Sequence, residues 1–219
     1  MAVGDVVVRR LFFAFDIDEP CREALTRLVD ELAERLDPPG SGSKGRVKWV
    51  ERENFHLTVS FLGSTPESRL AEIRSVLEPP FGSRAFELRF DRLGAFPDRG
   101  APRVIWVGAS AGAAPAEIAQ RELEQRLKSI GLPLEGRPFR AHLTLGRFRE
   151  PSRASQGRAI REFAMAPIGP LLVDHITLYE SHLSNRGPSY DTLMRMTLGS
   201  TVTPSGSASA SAEVSADSP

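Results

Sequence analysis

Two stretches of this sequence set a histidine and a threonine two residues apart within an apolar run. They are Phe55-His56-Leu57-Thr58-Val59-Ser60-Phe61-Leu62-Gly63 and Phe139-Arg140-Ala141-His142-Leu143-Thr144-Leu145-Gly146-Arg147-Phe148. In a β-strand, side chains two apart point the same way. His142 and Thr144 would share one face, with Leu143 and Leu145 on the other. His56, Thr58 and Ser60 would likewise oppose Leu57, Val59 and Phe61. Two imidazoles that titrate near neutrality can act as general base and general acid in one reaction. Threonine hydroxyls beside them can donate hydrogen bonds to the non-bridging oxygens of a phosphate. Together they suit phosphodiester cleavage without a metal, above all of a strained cyclic phosphate.

A third such pair, His175-Ile176-Thr177, shows that the pattern alone proves nothing, because threonine is itself enriched in strands. What separates the first two is their repetition in matching strands, 86 residues apart, in the two halves of the chain. Arg147 has the wrong strand parity to join Thr144, but a bulge at Gly146 would turn it toward a bound phosphate, where a guanidinium makes charge-assisted, bidentate contacts. Lys48 and Tyr190 are further candidates for substrate contact. His175 and His182 are read as structural.

The elements that must position these residues follow from patterning. Arg10 to Ile17 is a short apolar run of the kind found in buried strands. Asp18-Glu19-Pro20 opens a helix with an apolar stripe at Leu25, Leu28, Val29, Leu32 and Leu36. Ser41 to Gly45 is a loop, and Val47 to Val50 a brief strand before the first histidine strand. Thr65 and Pro66 are expected to cap and begin a second helix whose inner face is Leu70, Ile73 and Leu77. Ala85 to Leu93 and Arg103 to Val107 read as strands. A helix starting near Pro115 then leads to the second histidine strand, a short helix covers 155–165, and Leu171 to Tyr179 and Tyr190 to Leu198 close the fold. The expected fold class is α+β: a bilobal, duplicated unit over 1–198, with two antiparallel sheets facing a central cleft and helices outside. Residues 199–219, rich in serine and alanine, cannot bury enough surface to order themselves.

Composition narrows the partners. The 219 residues carry 28 basic and 28 acidic side chains, so no net field draws nucleic acid and any RNA contact must come from a local patch. Cys21 is the only cysteine, which excludes an intrachain disulfide and a cysteine-rich zinc site. No carboxylate or cysteine cluster at ligand spacing accompanies the histidines, so neither metal nor cofactor is expected. No apolar run is long enough to span a membrane. A cytoplasmic monomer is the expectation.

FHLTVSFLG and AHLTLGRF resemble the two signature motifs of the 2H phosphoesterases, in particular the RNA 2′,3′-cyclic phosphodiesterase branch, also called 2′-5′ RNA ligase-like. RLFFAFDI, LGAFP followed by PRVIWVG, and LYES with GPSY are also similar to that branch, so the resemblance covers about residues 9 to 198. It implies metal-independent opening of RNA 2′,3′-cyclic phosphate ends to 2′-phosphates, on substrates that include tRNA fragments. His56 would match the family's proton donor and His142 its proton acceptor, with Thr58, Thr144 and Arg147 holding phosphate. Ala141 and Val59 stand where many relatives have proline and leucine. Joining or cleaving 2′-5′ linkages, and binding RNA ends without turnover, remain alternatives.

Overall fold

Asp18 separates the first two elements: its carboxylate accepts the backbone N–H of Cys21 at 3.0 Å, capping a helix at the point where an apolar strand ends. The computed structural model describes residues 7–36, 46–134, 136–150, 152–185 and 187–199. In chain order the elements are β1 (Val8–Asp16), α1 (Glu19–Leu36), β2 (Val47–Trp49), β3 (His56–Pro66), α2 (Leu70–Leu77), β4 (Phe86–Phe96), β5 (Val104–Ala111), α3 (Ala113–Ser129), β6 (His142–Phe148), α4 (Ala154–Arg161), β7 (Ile168–Val173), β8 (His175–Ser184) and β9 (Gly187–Thr197). The stripe read from the sequence is the buried face of α1, joined by Cys21.

Two antiparallel sheets form, as the α+β reading expects. One has the order β3-β1-β8-β9, the other β2-β6-β5-β4-β7. The succession β1-α1-β3 in the first recurs as β5-α3-β6 in the second, each placing its histidine strand beside the strand that precedes the helix. The sheets do not divide the chain into halves, however. β4 follows β3 in sequence yet joins the other sheet, and β8 and β9 return to the first. Each lobe is completed by strands from the opposite half, and one continuous apolar core runs beneath both. That interlacing fixes the sheets against each other, so the cleft between them is part of the fold.

Three local expectations change. The apolar run Leu171 to Tyr179 is two strands, not one: β7 pairs with β4, the chain breaks at Asp174, and β8 pairs with β1 in the other sheet. Thr65 and Pro66 do not open a helix. They extend β3, where Thr65 pairs with Arg9 and is buried, and a short 3-10 turn over Glu67–Arg69 precedes α2. A long ladder to β1 outweighs a local capping signal here. Gly199, the first residue of the expected tail, still pairs with the backbone of Ser83 and Ala85. Residues 200–219 and the loop at 41–45 lie outside the described residues. No described helix is long and apolar enough to cross a membrane.

Candidate active site

The two histidine strands carry the same irregularity. In the β1–β3 ladder Phe13 pairs with Ser60 and Ala14 with Thr58, so Val59 is an extra residue. In the β5–β6 ladder Ile105 pairs with Gly146 and Trp106 with Thr144, so Leu145 is the extra one. Val59 and Leu145 are 86 positions apart, as His56 and His142 are. A bulge resets the alternation of faces beyond it. Arg147 therefore joins His142 and Thr144 on the cleft side, as the sequence reading anticipated. The matching shift in β3 was not anticipated: Phe61 lines the cleft and Ser60 is buried, the reverse of strict alternation. Gly146 is required because a Cβ there would lie 2.8 Å from Val47 Cγ1 and 2.9 Å from Trp49 Cε3.

His56, Thr58, His142, Thr144, Arg147, Lys48 and Tyr190 all border one cleft of about 540 Å³. Every candidate named from the sequence is thus brought to one place. Phe12, Trp49 and Asn54 line it as well and were missed, because Phe12 hides in a run where every neighbour is apolar. A second cavity of about 700 Å³ adjoins the first, sharing Thr58, Phe61, His142, Thr144 and Arg147, and extends to Phe96, Arg137 and Arg140.

Both imidazoles are held the same way. His56 Nδ1 donates to the carbonyl of Asn54 at 2.8 Å, and His142 Nδ1 to the carbonyl of Arg140 at 2.7 Å. A carbonyl can only accept, so Nδ1 carries the proton and Nε2 is the nitrogen left for proton transfer. Asn54 is itself tied to Pro188 O at 3.0 Å, which fixes the start of β9 beside the site. Around His56 lie Phe12 at 4.9 Å and the edge-on ring of Tyr190 at 5.3 Å. Around His142 lie Phe96 at 5.2 Å and Trp106 at 6.1 Å.

The surroundings differ in charge. Burial pushes the His56 pKa below its ordinary value; the Asn54 carbonyl and the charge of Asp16 resist, and Arg147 adds to the fall. Burial also lowers His142, opposed by the Arg140 carbonyl and reinforced by the guanidinium groups of Arg140 and Arg147. Burial raises Tyr190, against the nearby charges of Arg147 and Arg10. Arg147 acts on both histidines and on Tyr190, as a cation standing between two facing walls would. The Nε2 of His56 also lies 3.1 Å from Thr58 Oγ1. While His56 is neutral the Thr58 hydroxyl donates to it. Once His56 is protonated the direction reverses, and the Thr58 proton is free for another acceptor.

Two imidazoles, two hydroxyls and one guanidinium around a single gap are groups that could cleave a phosphoester, and the comparisons agree with that chemistry. The LigT like phosphoesterase family model matches residues 15–106 and 107–190, one histidine strand in each part, and the chain belongs to that family. The RNA 2′,3′-cyclic phosphodiesterase of Archaeoglobus fulgidus is 35% identical over 185 residues, which is 84% of this chain and 97% of the relative. The crystal structure of TT0787 from Thermus thermophilus superposes with a TM-score of 0.66 at 26% identity, over 86% of this chain and 97% of that one. E. coli LigT complexed with 3′-AMP gives a TM-score of 0.66 at 25% identity, over 88% and 99%.

Proposed function

We propose that this protein hydrolyses 2′,3′-cyclic phosphate ends of RNA to 2′-phosphates. The observation that carries the reading is the pair of imidazoles bordering one cleft, each with Nδ1 held by a carbonyl two residues back, so that Nε2 is the nitrogen available for proton transfer. Neutral His142 takes a proton from water at Nε2 as the water oxygen attacks phosphorus. The P–O3′ bond breaks, and His56 delivers its Nε2 proton to O3′. Thr58, Thr144 and Arg147 hold the non-bridging oxygens and the charge that builds on them. In the five-membered cyclic ester strain assists the departure of O3′, so acid, base and a cation suffice. The relatives named as RNA 2′,3′-cyclic phosphodiesterases support this substrate, and the E. coli LigT complex with 3′-AMP supports a nucleotide ligand.

Phe12, Tyr190 and Lys48 give the terminal nucleoside two aromatic rings and a cation on the His56 side. The adjoining cavity offers the remaining RNA, tRNA fragments among it, the guanidinium groups of Arg137 and Arg140 beside the carboxylates of Asp98 and Glu124. That cavity also gives the joining reading its support. It opens on the His142 side, where a ribose hydroxyl could take the place of water and form a 2′-5′ linkage. The protein is expected to act as a monomer in the cytoplasm.

The deciding experiment incubates the protein with a 2′,3′-cyclic nucleotide and a cyclic-phosphate RNA end in excess EDTA and identifies the product. A 2′-monophosphate is expected. Activity lost on chelation points to metal chemistry, and a 3′-phosphate product reverses the leaving group.

A further inference from the structure

The two ladders that repeat the histidine motif differ at one register position. Asp16 stands opposite His56 across β1–β3, whereas Gly108 stands opposite His142 across β5–β6. Residues directly paired in an antiparallel ladder share a face, with Cβ atoms about 5 Å apart. Across the ladder the first histidine therefore has a carboxylate beside it and the second has none.

Asp16 is held in place by β8. Its Oδ2 accepts from His175 Nε2 at 2.8 Å and Thr177 Oγ1 at 3.0 Å, and its Oδ1 from Tyr179 OH at 2.7 Å. Arg195 of β9 comes within 3.5 Å. Burial works against its ionisation, but the hydrogen bonds from His175, Tyr179 and Thr177 and the charge of His175 prevail and keep its carboxyl below the ordinary range. The third histidine–threonine pair, which has no place in the proton transfers, thus serves to fix one carboxylate.

We propose that Asp16 is a positioning residue for the reaction, its fixed negative charge opposing the effect of burial on His56 and so raising the share of His56 that carries the proton for the departing oxygen. The proposal rests on the cyclic phosphodiesterase reading and deepens it by fixing which histidine is the acid. An acid must hold its proton, and burial under Phe12 works the other way. Among the groups bordering the cleft, Arg10 of β1, Lys48 of β2, and Arg147 and protonated His142 of β6 all oppose charge on His56, while Tyr190 of β9 is neutral. Glu51 and Asp16 favour it, and only Asp16 stands across the ladder. His175 and Arg195 lie beyond Asp16 and offset part of its field. At His142 the position of the carboxylate is Gly108, and the charges that act on it are those of Arg147 and of Arg140, the latter paired with Asp98 at 3.3 Å, so no carboxylate across the ladder opposes its role as acceptor.

The test follows the Cε1 proton of His56 by NMR through a pH titration, its signal assigned with His56→Gln, in wild type, Asp16→Asn and His175→Gln. Asp16→Asn is expected to move the His56 midpoint to lower pH by about one unit, a tenfold loss of the protonated fraction above the midpoint. A merely loosened structure would do the opposite, since exposure relaxes a buried histidine upward. An unchanged or rising midpoint therefore overturns the proposal. His175→Gln keeps a hydrogen-bonding amide but removes the offsetting cation, so the midpoint should rise. If Asp16→Asn does not fold, that variant decides, and an unchanged or falling midpoint overturns. In turnover of a 2′,3′-cyclic mononucleotide, Asp16→Asn should lower kcat about tenfold at neutral pH with KM little altered. Wild-type kcat beside a lowered His56 midpoint would make His56 something other than the acid, and would also overturn it. Because the titration needs no turnover, a protein inactive on cyclic phosphates would fail the functional reading separately from the ladder charge.

Discussion

The two histidine strands share a backbone and differ in nearly everything attached to it. Both have histidine, threonine, an extra residue and then one further side chain turned into the cleft, in the same spacing. That last side chain is Phe61 in β3 and Arg147 in β6. Across the ladder, Ala14 faces Thr58 where Trp106 faces Thr144, and Asp16 faces His56 where Gly108 faces His142. The first histidine sits in an aromatic nest with a carboxylate behind it. The second has an aromatic wall and two guanidinium groups. Repetition supplied two equivalent places from which to reach a phosphate, but hydrolysis needs two unlike proton-transfer groups and one cation, not two of each. The difference between the strands is where a symmetric scaffold becomes a directional site.

The strongest way to break this comparison is to remove each histidine in turn. His56→Ala and His142→Ala should each reduce kcat by about 10³-fold or more on a 2′,3′-cyclic substrate. The two should part on an aryl phosphodiester whose 4-nitrophenolate departs without a proton. His56→Ala should recover much of its rate there and His142→Ala should not. Equal recovery in both would mean that the two imidazoles share one role. Next in size is the Phe61 and Arg147 contrast. Arg147→Ala should cost about 10²-fold in kcat/KM, as loss of a charge-assisted contact to a developing oxyanion does. Phe61→Ala should cost about tenfold or less and mainly raise KM, since an apolar neighbour can only shape the cleft. If the two losses match, the strands are chemically equivalent after all.

How far this difference could be read beforehand depended on whether the backbone announced itself. The paired histidines and threonines were legible because alternation places them, and Arg147 because Gly146 marks a bulge. The same bulge at Val59 carries no glycine, so Ser60 was assigned to the cleft and Phe61 to the core. Gly146 is needed only where Val47 and Trp49 crowd the strand, so the glycine reports the neighbours and not the bulge itself. The crossing at Asp174 was hidden for a related reason. Leu171, Val173, Ile176 and Leu178 are all buried, some in one sheet and some in the other, and an apolar run does not say which sheet it lies in. Asp16 passed as the end of a strand because its partners come from β8, about 160 residues away. Local patterning gave the chemistry of each strand, while the pairing between distant strands gave the asymmetry.

Smaller effects would sharpen the contrast. Neutral His142 has to accept a proton, and burial with two cations holds its pKa below the ordinary 6.5. The acid limb of kcat/KM should therefore fall below that value, and Arg140→Gln should raise it by about half a pH unit. A limb that stays in place would show that the Arg140 charge does not reach the base.

The smallest expected effect is on stability, and it belongs to the first lobe alone. The folded pKa of His175 lies above its ordinary 6.5, mainly through its bond to Asp16. Its contribution is full below about 6.5 and fades as pH rises through the folded value. The folded pKa of Asp16 lies below its ordinary 3.8, so its contribution is present above that and is lost as pH falls through the folded value. Between those limits both groups are charged and paired. His175→Ala should then cost about 1–3 kcal/mol near pH 5 and distinctly less near pH 9, measured by urea unfolding at each pH. A loss equal at both pH values would reduce the pair to packing. Asp16 would then be a neutral strut, and the first histidine would lose the charge that sets it apart from the second.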